Sequence, residues 1–171
     1  KYYLTKHHLD SYDDFIRNKI PQTFKQYNPQ ILYKEFDKDI NAYKGTDISM
    51  LDRLKVNNAK VDEMIIAAKH LASQEDPVGV ERFSFKHENG MQVYNKTASF
   101  GTILIIYESR PDVTVEAAGI AFKSGNKIVL KGGKESLHSN LKITELWHKA
   151  LKQNNASLDW VTYLQFNRIE T

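Results

Sequence analysis

Residues 102–136 read TILIIYESRPDVTVEAAGIAFKSGNKIVLKGGKES, and this stretch holds two short apolar runs on either side of a helix-length segment. The runs, Ile103 to Tyr107 and Ile128 to Leu130, are continuous rather than alternating. That pattern is typical of strands in a parallel sheet whose two faces are both covered by helices. Pro111 suits the first turn of the intervening helix, and Ser124-Gly125-Asn126 suits a compact turn into the second strand. The stretch therefore predicts a β-α-β unit.

The residues that follow extend this unit. A second helix is predicted over Glu135 to Lys152, and a third strand over Trp160 to Leu164. The resulting β-α-β-α-β pattern indicates an α/β fold built on a partial doubly wound, Rossmann-like parallel sheet with right-handed connections.

Two helices and a hairpin are predicted before the sheet. Thr46-Asp47 opens a short helix, and Asn58 can cap a longer one that ends before the Pro/Gly turn at residues 76–79. Asn89-Gly90, between two β-prone runs, predicts an antiparallel hairpin over Arg82 to Lys96.

The first 36 residues differ in composition from the rest, since they are rich in Tyr, Asp, Asn, Gln and Lys and lack glycine. They predict an amphipathic helix between Ser11 and Ile20 and a brief strand at Ile31 to Tyr33. We therefore divide the chain into a helical N-terminal segment, residues 1–36, and an α/β part, residues 37–171.

Composition excludes several classes of protein. The 171 residues are 41% hydrophobic and 26% charged, with a net charge of +3 and no cysteine. This balance is globular, and it argues against a nucleic-acid-binding function unless the basic residues cluster on one face. No apolar run is long enough to span a bilayer, so we expect a soluble, cytoplasmic protein. The absence of cysteine excludes disulfides, thiolate nucleophiles and Cys-ligated zinc within these residues.

A loop that follows the second sheet strand is the first candidate site. It consists of Lys131, Gly132, Gly133, Lys134 and Glu135. Ligands of open α/β sheets bind beyond the carboxyl ends of the strands, where a glycine pair lets the backbone approach a ligand and lysines supply charge for phosphate. The loop is neither a G-x-G-x-x-G nor a Walker A motif, and a flexible connection with no ligand fits it equally well.

The second candidate follows the first strand. Ser109 and Arg110 lie among polar residues at the same edge, and Arg110 can donate two hydrogen bonds to a carboxylate or phosphate. The alternative is that Glu108 and Arg110 form a solvated surface pair. The six histidines have no metal-ligand spacing, and no Gly-x-Ser-x-Gly motif occurs, so we assign neither a metal site nor a catalytic residue.

Several motifs, in order and spacing, resemble those of γ-glutamyl phosphate reductase, a family of the aldehyde dehydrogenase superfamily. They are residues 50–54 (MLDRL), 76–79 (DPVG), 106–118 (IYESRPDVTVEAA), 123–126 (KSGN), 130–136 (LKGGKES) and 138–140 (HSN). The resemblance covers residues 37–171. It implies reduction of γ-glutamyl phosphate with NADPH to glutamate 5-semialdehyde and phosphate, a step of proline biosynthesis.

The resemblance also implies roles for the two loops. Residues 131–135 correspond to the loop that meets the adenosine ribose, where NAD-preferring relatives carry an acid three residues after the first lysine. Lys134 stands at that position and favours NADPH. Ser109 and Arg110 correspond to the substrate side, with Arg110 facing phosphate or a glutamate carboxylate. The family attacks its substrate with a cysteine thiolate, which this sequence lacks, so we expect a fragment that does not turn over alone.

The first 36 residues resemble a different family. Residues 9–16 (LDSYDDFI), 18–21 (NKIP) and 27–29 (YNP) are similar to the start of the second-largest subunit of viral-type multisubunit RNA polymerases. The alternative function is thus a non-enzymatic polymerase segment that contacts protein and nucleic acid, and the meeting of two resemblances suggests a fusion or composite. Hairpin 82–96 is suited to joining subunits of a homo-oligomer through its free edge.

Overall fold

The computed structural model describes residues 29–165, with side chains from Lys34 onward. The helix predicted between Ser11 and Ile20, and most of the segment that resembles an RNA polymerase subunit, lie outside the described residues. No helix within the described range is both long and apolar enough to cross a membrane.

Three helices precede the sheet. They are α1 (Pro29–Ala42), α2 (Ile48–Leu54) and α3 (Asn58–Ser73). Asp47 caps α2 by accepting from the Ser49 N–H at 2.9 Å, which confirms the predicted start. Asn57, one residue before the predicted cap, does the same for α3 through the Lys60 N–H at 2.9 Å.

The first helix corrects one expectation and crosses a predicted boundary. Ile31 to Tyr33 are helical, so the brief strand predicted there is wrong. The short apolar run is one part of a longer helix, and periodicity over three residues cannot distinguish the two. Helix α1 continues through the boundary placed after Phe36, whose side chain is buried in the core. A different origin for the first 36 residues stays a prediction.

The predicted hairpin is confirmed. Strands β1 (Glu81–Lys86) and β2 (Gln92–Lys96) pair antiparallel around the Asn89-Gly90 turn. Gly90 has a φ of +86°, a conformation that glycine adopts without steric cost, and Asn89 Oδ1 accepts from the Met91 N–H at 3.0 Å. Every residue of β1 is exposed, so the described residues cover neither of its faces.

The sheet follows the predicted alternation of strand and helix. Its elements are β3 (Thr102–Ile106), α4 (Pro111–Lys123), β4 (Lys127–Lys131), α5 (Leu137–Gln153) and β5 (Val161–Tyr163). The three strands are parallel in the order β3-β4-β5. Helix α5 starts two residues later than predicted because Lys134–Ser136 form a 3₁₀ turn. These elements confirm the α/β fold with a partial parallel sheet.

The expectation that helices cover both faces of the sheet is wrong for the described residues. Successive right-handed crossovers in one direction place α4 and α5 on the same face. Ile128 and Leu130 on that face are fully buried against the helices. On the opposite face, Leu104 and Ile106 of β3 are 56% and 74% exposed.

The core lies between the sheet and α4 and α5. Phe122 and Trp147, one from each helix, pack with their ring centroids 6.0 Å apart. Helix α1 packs on α5 and adds Phe36 to the core. Asp39, also on α1, is buried and accepts hydrogen bonds from the backbone N–H groups of His138 at 3.0 Å and Ser139 at 2.8 Å. These N–H groups belong to the first turn of α5. The Asp39 carboxylate of α1 therefore caps the N-terminus of α5.

Candidate functional site

The two predicted loops lie side by side at the carboxyl end of the sheet. The parallel register pairs Ile106 of β3 with Lys131 of β4, and the Tyr107 N–H donates to the Lys131 carbonyl at 3.0 Å. The chain leaves both strands at this level, so residues 107–110 and residues 131–135 start next to each other. The structure therefore brings together the candidates that the sequence placed at one edge.

A buried serine joins the two loops. The Ser109 hydroxyl donates to Glu135 Oε2 at 2.8 Å, and Ser109 is only 1% exposed. Ser109 thus holds the loop after β4 against the loop after β3. Its direct contact with a substrate stays a prediction, and the hydrogen bond to Glu135 is a role that the sequence did not predict.

The glycine pair has a packing role that the sequence did not predict. A Cβ built on Gly132 would lie 2.4 Å from Asn140 Nδ2, and one on Gly133 would lie 2.3 Å from Ser109 Oγ. Both distances are far below van der Waals contact. The space beside each glycine is therefore filled by the protein's own side chains, which fixes the loop path whether or not a ligand approaches the backbone.

A buried hydrogen-bond network lies under the loops, and sequence reasoning missed it. The hydroxyls of Tyr107 and Thr114 are 2.6 Å apart, and Thr114 donates to Asn140 Oδ1 at 2.7 Å. Asn140 Nδ2 donates in turn to Ser136 Oγ at 2.9 Å and to the Tyr163 hydroxyl at 3.1 Å. The network connects α4, α5 and β5 beneath the site. Its only sequence signal is the presence of polar residues on the core-facing sides of apolar helices.

Burial shapes the acid–base properties of the two tyrosines. Desolvation raises the pKa of Tyr107 well above its ordinary range, and the hydrogen bond with Thr114 opposes this only in part. Desolvation likewise raises the pKa of Tyr163. Both phenols therefore stay protonated at neutral pH and act as neutral hydrogen-bonding groups.

The lysines of the second loop differ in their surroundings. Lys131 is half-buried, and its Nζ donates to the Gly132 carbonyl at 3.0 Å. Lys134 is exposed at the tip of the loop. An exposed ammonium beyond the carboxyl end of a parallel strand is suited to an anionic group of a nucleotide. Lys134 is therefore the accessible cation of this loop, and its contact with a nucleotide stays a prediction.

In the first loop, Glu108 and Arg110 each form an ion pair with another residue, rather than with each other as the alternative interpretation predicted. Glu108 accepts from Arg53 of α2 at 2.8 Å, and Arg110 donates to Asp112 at 2.8 Å. The hydrogen bond and charge of Asp112 raise the pKa of Arg110 further. Arg110 therefore stays cationic beside a cavity, and Glu108 and Arg110 do not form a pair with each other.

That cavity has a volume of about 330 Å³ and opens between α2, α3 and the start of α4. Its lining is mostly charged and includes Arg110, Lys60, Glu63 and Glu116. Within residues 29–165, no cluster of three or more histidine or carboxylate side chains is arranged to hold a metal ion.

Comparison with known proteins gives close relatives. The chain is 36% identical over 157 residues to a γ-glutamyl phosphate reductase of Hydrogenobaculum sp., a match that covers 88% of the chain and 35% of the relative. It is 39% identical over 140 residues to γ-glutamyl phosphate reductase 2 of Bacillus licheniformis, covering 81% of the chain and 33% of the relative. The chain thus spans about a third of the length of these relatives. No family model matches it.

The chain is also similar to solved structures of γ-glutamyl phosphate reductases. The γ-glutamyl phosphate reductase of Thermotoga maritima matches with a TM-score of 0.87 at 32% identity, over 93% of this chain and 38% of that one. The enzyme from Saccharomyces cerevisiae matches with a TM-score of 0.84 at 28% identity, over 93% and 42%. A Streptococcus pyogenes succinic semialdehyde dehydrogenase, solved with NADP⁺, has a TM-score of 0.52 at 18% identity, over 98% and 38%, and shares the fold. The chain is therefore similar in sequence and structure to γ-glutamyl phosphate reductases and has an aldehyde dehydrogenase-type fold.

Proposed function

We propose that this chain is the N-terminal, cofactor-binding part of a γ-glutamyl phosphate reductase, the enzyme that reduces γ-glutamyl phosphate to glutamate 5-semialdehyde with NADPH in proline biosynthesis. Support comes from relatives of that name at 36% and 39% identity and from a TM-score of 0.87 to one solved example. The observation that carries the proposal is the joining of the two loops by Ser109 and Glu135 at the carboxyl end of the sheet.

In this proposal the loop after β4 holds the adenosine ribose of NADPH. Gly132 and Gly133 fix the path of the loop, and Glu135 is held by Ser109. Lys131 donates to the loop backbone, and Lys134 faces solvent, where it attracts a 2′-phosphate. When bound, NADPH supplies the hydride for the reduction. The protein's part is to position the cofactor and to select it by charge.

The loop after β3 forms the substrate side. Arg110 keeps its charge beside the cavity, and of its five N–H donors one is used on Asp112. Ser109, which is buried, positions this loop against the cofactor loop. The thiolate nucleophile that the family uses comes from residues outside this sequence, which contains no cysteine, so the chain binds ligands without turning them over.

Two further proposals concern the origin of the N-terminal segment and the association of the chain with itself. We propose that residues 1–36 have a different origin from residues 37–171, and that hairpin 82–96 joins copies of the chain through its exposed strands. The exposure of Phe83 and Phe85 on β1, at 55% and 51%, supports the second assignment.

Calorimetric titration of the full chain with NADPH and separately with NADH tests the cofactor assignment, with the fluorescence of Trp147 and Trp160 recorded in parallel. We expect saturable binding that favours NADPH. The Lys134→Glu variant should lose most of this preference, because it replaces attraction of the 2′-phosphate by repulsion. Lys69→Glu, an exposed lysine of α3, is the matched control and should keep the preference. A folded chain that binds neither dinucleotide would overturn the assignment.

A further inference from the structure

A second cavity, of about 230 Å³, lies between α3 and α4, and its lining is mostly apolar. Two small residues of α3, Ala67 and Ala68, are part of the lining and leave space there. At Gly119 of α4, a Cβ would lie only 2.8 Å from Leu71 Cδ2, so the two helices are already in close contact beside the cavity. The helices therefore cannot close the cavity by moving closer together at this point.

Trp147 of α5 lines the same cavity and carries an unsatisfied donor. Its side chain is buried, and its indole Nε1–H is the only buried side-chain polar atom without a hydrogen-bond partner among residues 34–165. Buried polar groups in proteins almost always have a partner, because an unpaired donor has lost its hydrogen bonds to water and gained nothing in return. The unpaired indole N–H beside an apolar cavity therefore points to an acceptor supplied by a ligand.

The rest of the lining restricts the chemistry of that ligand. Val115 and Ile120 offer apolar contacts, and Glu116 adds a carboxylate. Among the described residues, no lysine or arginine lines the cavity, so an anionic acceptor would meet repulsion without compensation. The acceptor therefore belongs to a neutral group such as a carbonyl. An apolar cavity of about 150 Å³ is enough to hold benzene, so this one has room for a single ring with a short polar substituent.

We infer that this cavity binds a neutral, ring-sized apolar molecule whose one oxygen acceptor takes the indole N–H of Trp147. The small volume suits such a molecule better than a helix or strand of another protein. The cavity shares no residue with the loops at 107–110 and 131–135. The inference therefore goes beyond the proposed function and does not depend on it.

Titration of the full chain with three small probes, followed by ¹H–¹⁵N NMR, tests the inference. Acetophenone carries a neutral carbonyl acceptor, ethylbenzene has a similar size without an acceptor, and benzoate carries an anionic one. We expect acetophenone to bind about threefold more tightly, or better, than either of the others, as one added hydrogen bond predicts. It should also move the indole N–H resonance of Trp147 downfield. The chain has two tryptophans, so Trp160→Phe identifies the resonance of Trp147.

Two variants separate the cavity from the rest of the surface. Ala68→Leu fills the cavity and should abolish acetophenone binding, whereas Ala59→Leu makes the same change at an exposed position of α3 and should bind like the parent. Trp147→Phe keeps an aromatic ring but removes the donor, so it should bind acetophenone and ethylbenzene equally. Circular dichroism confirms that each variant is folded. Equal or no binding of the three probes by the parent, an unmoved Trp147 indole resonance, or undiminished binding by folded Ala68→Leu would each overturn the inference.

Discussion

The Ser109 hydroxyl donates a hydrogen bond of 2.8 Å to Glu135 Oε2 across 26 residues of sequence, and it links the loops that follow β3 and β4. The serine is buried, and the carboxylate that it reaches is only half-buried. This one contact ties the proposed substrate side to the proposed cofactor side. A loop displaced on one side would therefore disturb the other.

Removing this hydroxyl should destabilise the protein. Ser109→Ala removes a buried hydrogen bond to a charged group, and we expect the free energy of unfolding to fall by about 1–3 kcal/mol. Urea unfolding followed by circular dichroism measures the change. Ser84→Ala, on the exposed hairpin, is the control and should change stability by less than about 0.5 kcal/mol. Equal losses in the two variants would contradict the role given to Ser109.

Because Ser109 lies close to Gly133, we expect substitutions at these two positions to have coupled effects on stability. Gly133→Ala places a Cβ 2.3 Å from Ser109 Oγ and should cost about 1–3 kcal/mol of stability. In the Ser109→Ala background the clashing oxygen is absent, so the same substitution should cost less. A double-mutant cycle measures the difference, which we expect to be about 0.5 kcal/mol or more. Strictly additive losses would show that the two residues do not compete for the same space.

Asp39 should be among the most sensitive positions of α1. It accepts hydrogen bonds from the backbone N–H groups of His138 and Ser139 and from the Ser139 hydroxyl. Asp39→Ala leaves these buried donors without an acceptor and should lower the free energy of unfolding by about 2–3 kcal/mol. Asp37→Ala, two residues earlier and exposed, is the matched control. Thermal and urea unfolding of both variants test this, and similar stabilities would contradict the capping role.

The strand and helix pattern was predictable because its signals are local. Periodicity, Pro111 and the Ser124-Gly125-Asn126 turn each act within a few residues, and the structure places α4 and β4 at the predicted positions. The exposed face of β3 was not predictable in the same way. A continuous apolar run does not reveal whether the layer that covers its second face lies within the same chain.

The site was predictable only in part for a related reason. The edge of the sheet where the two loops meet follows from topology, but the contacts there depend on tertiary packing. Asp39 reaches Ser139 across 100 residues, and Asn140 meets Tyr163 across 23. No local pattern marks such pairs. The sequence predicted that Gly132 lets a ligand approach the backbone, and this stays a prediction, while the side chains that pack against Gly132 could not be predicted.

Stability at high pH should depend on Tyr107. Burial raises its pKa in the folded state above the value of about 10 expected in the unfolded chain. Between those two values the unfolded state has lost the proton that the folded state keeps, so the free energy of unfolding falls as the pH rises above about 10. Tyr107→Phe should make this fall less steep, because it removes the titrating group. Urea unfolding between pH 8 and pH 11 measures the slope, and the exposed Tyr94→Phe control should match the parent.

We expect copies of the chain to associate through one face of the hairpin. Side chains alternate along a strand, so Phe83 and Phe85 share one face of β1 while Ser84 lies on the other. Phe85 is paired with Val93 of β2, which adds to the same apolar face. An isolated two-stranded hairpin is only marginally stable in water, and in this one every strand residue except the half-buried Val93 is exposed, which favours a second copy of the chain as its partner. We expect size-exclusion chromatography with light scattering to give a dimer or larger species at tens of micromolar. Phe85→Asp should shift it to monomer, whereas Ser84→Asp adds the same charge to the opposite face and should not. A parent chain that is already monomeric would contradict the oligomerisation proposal.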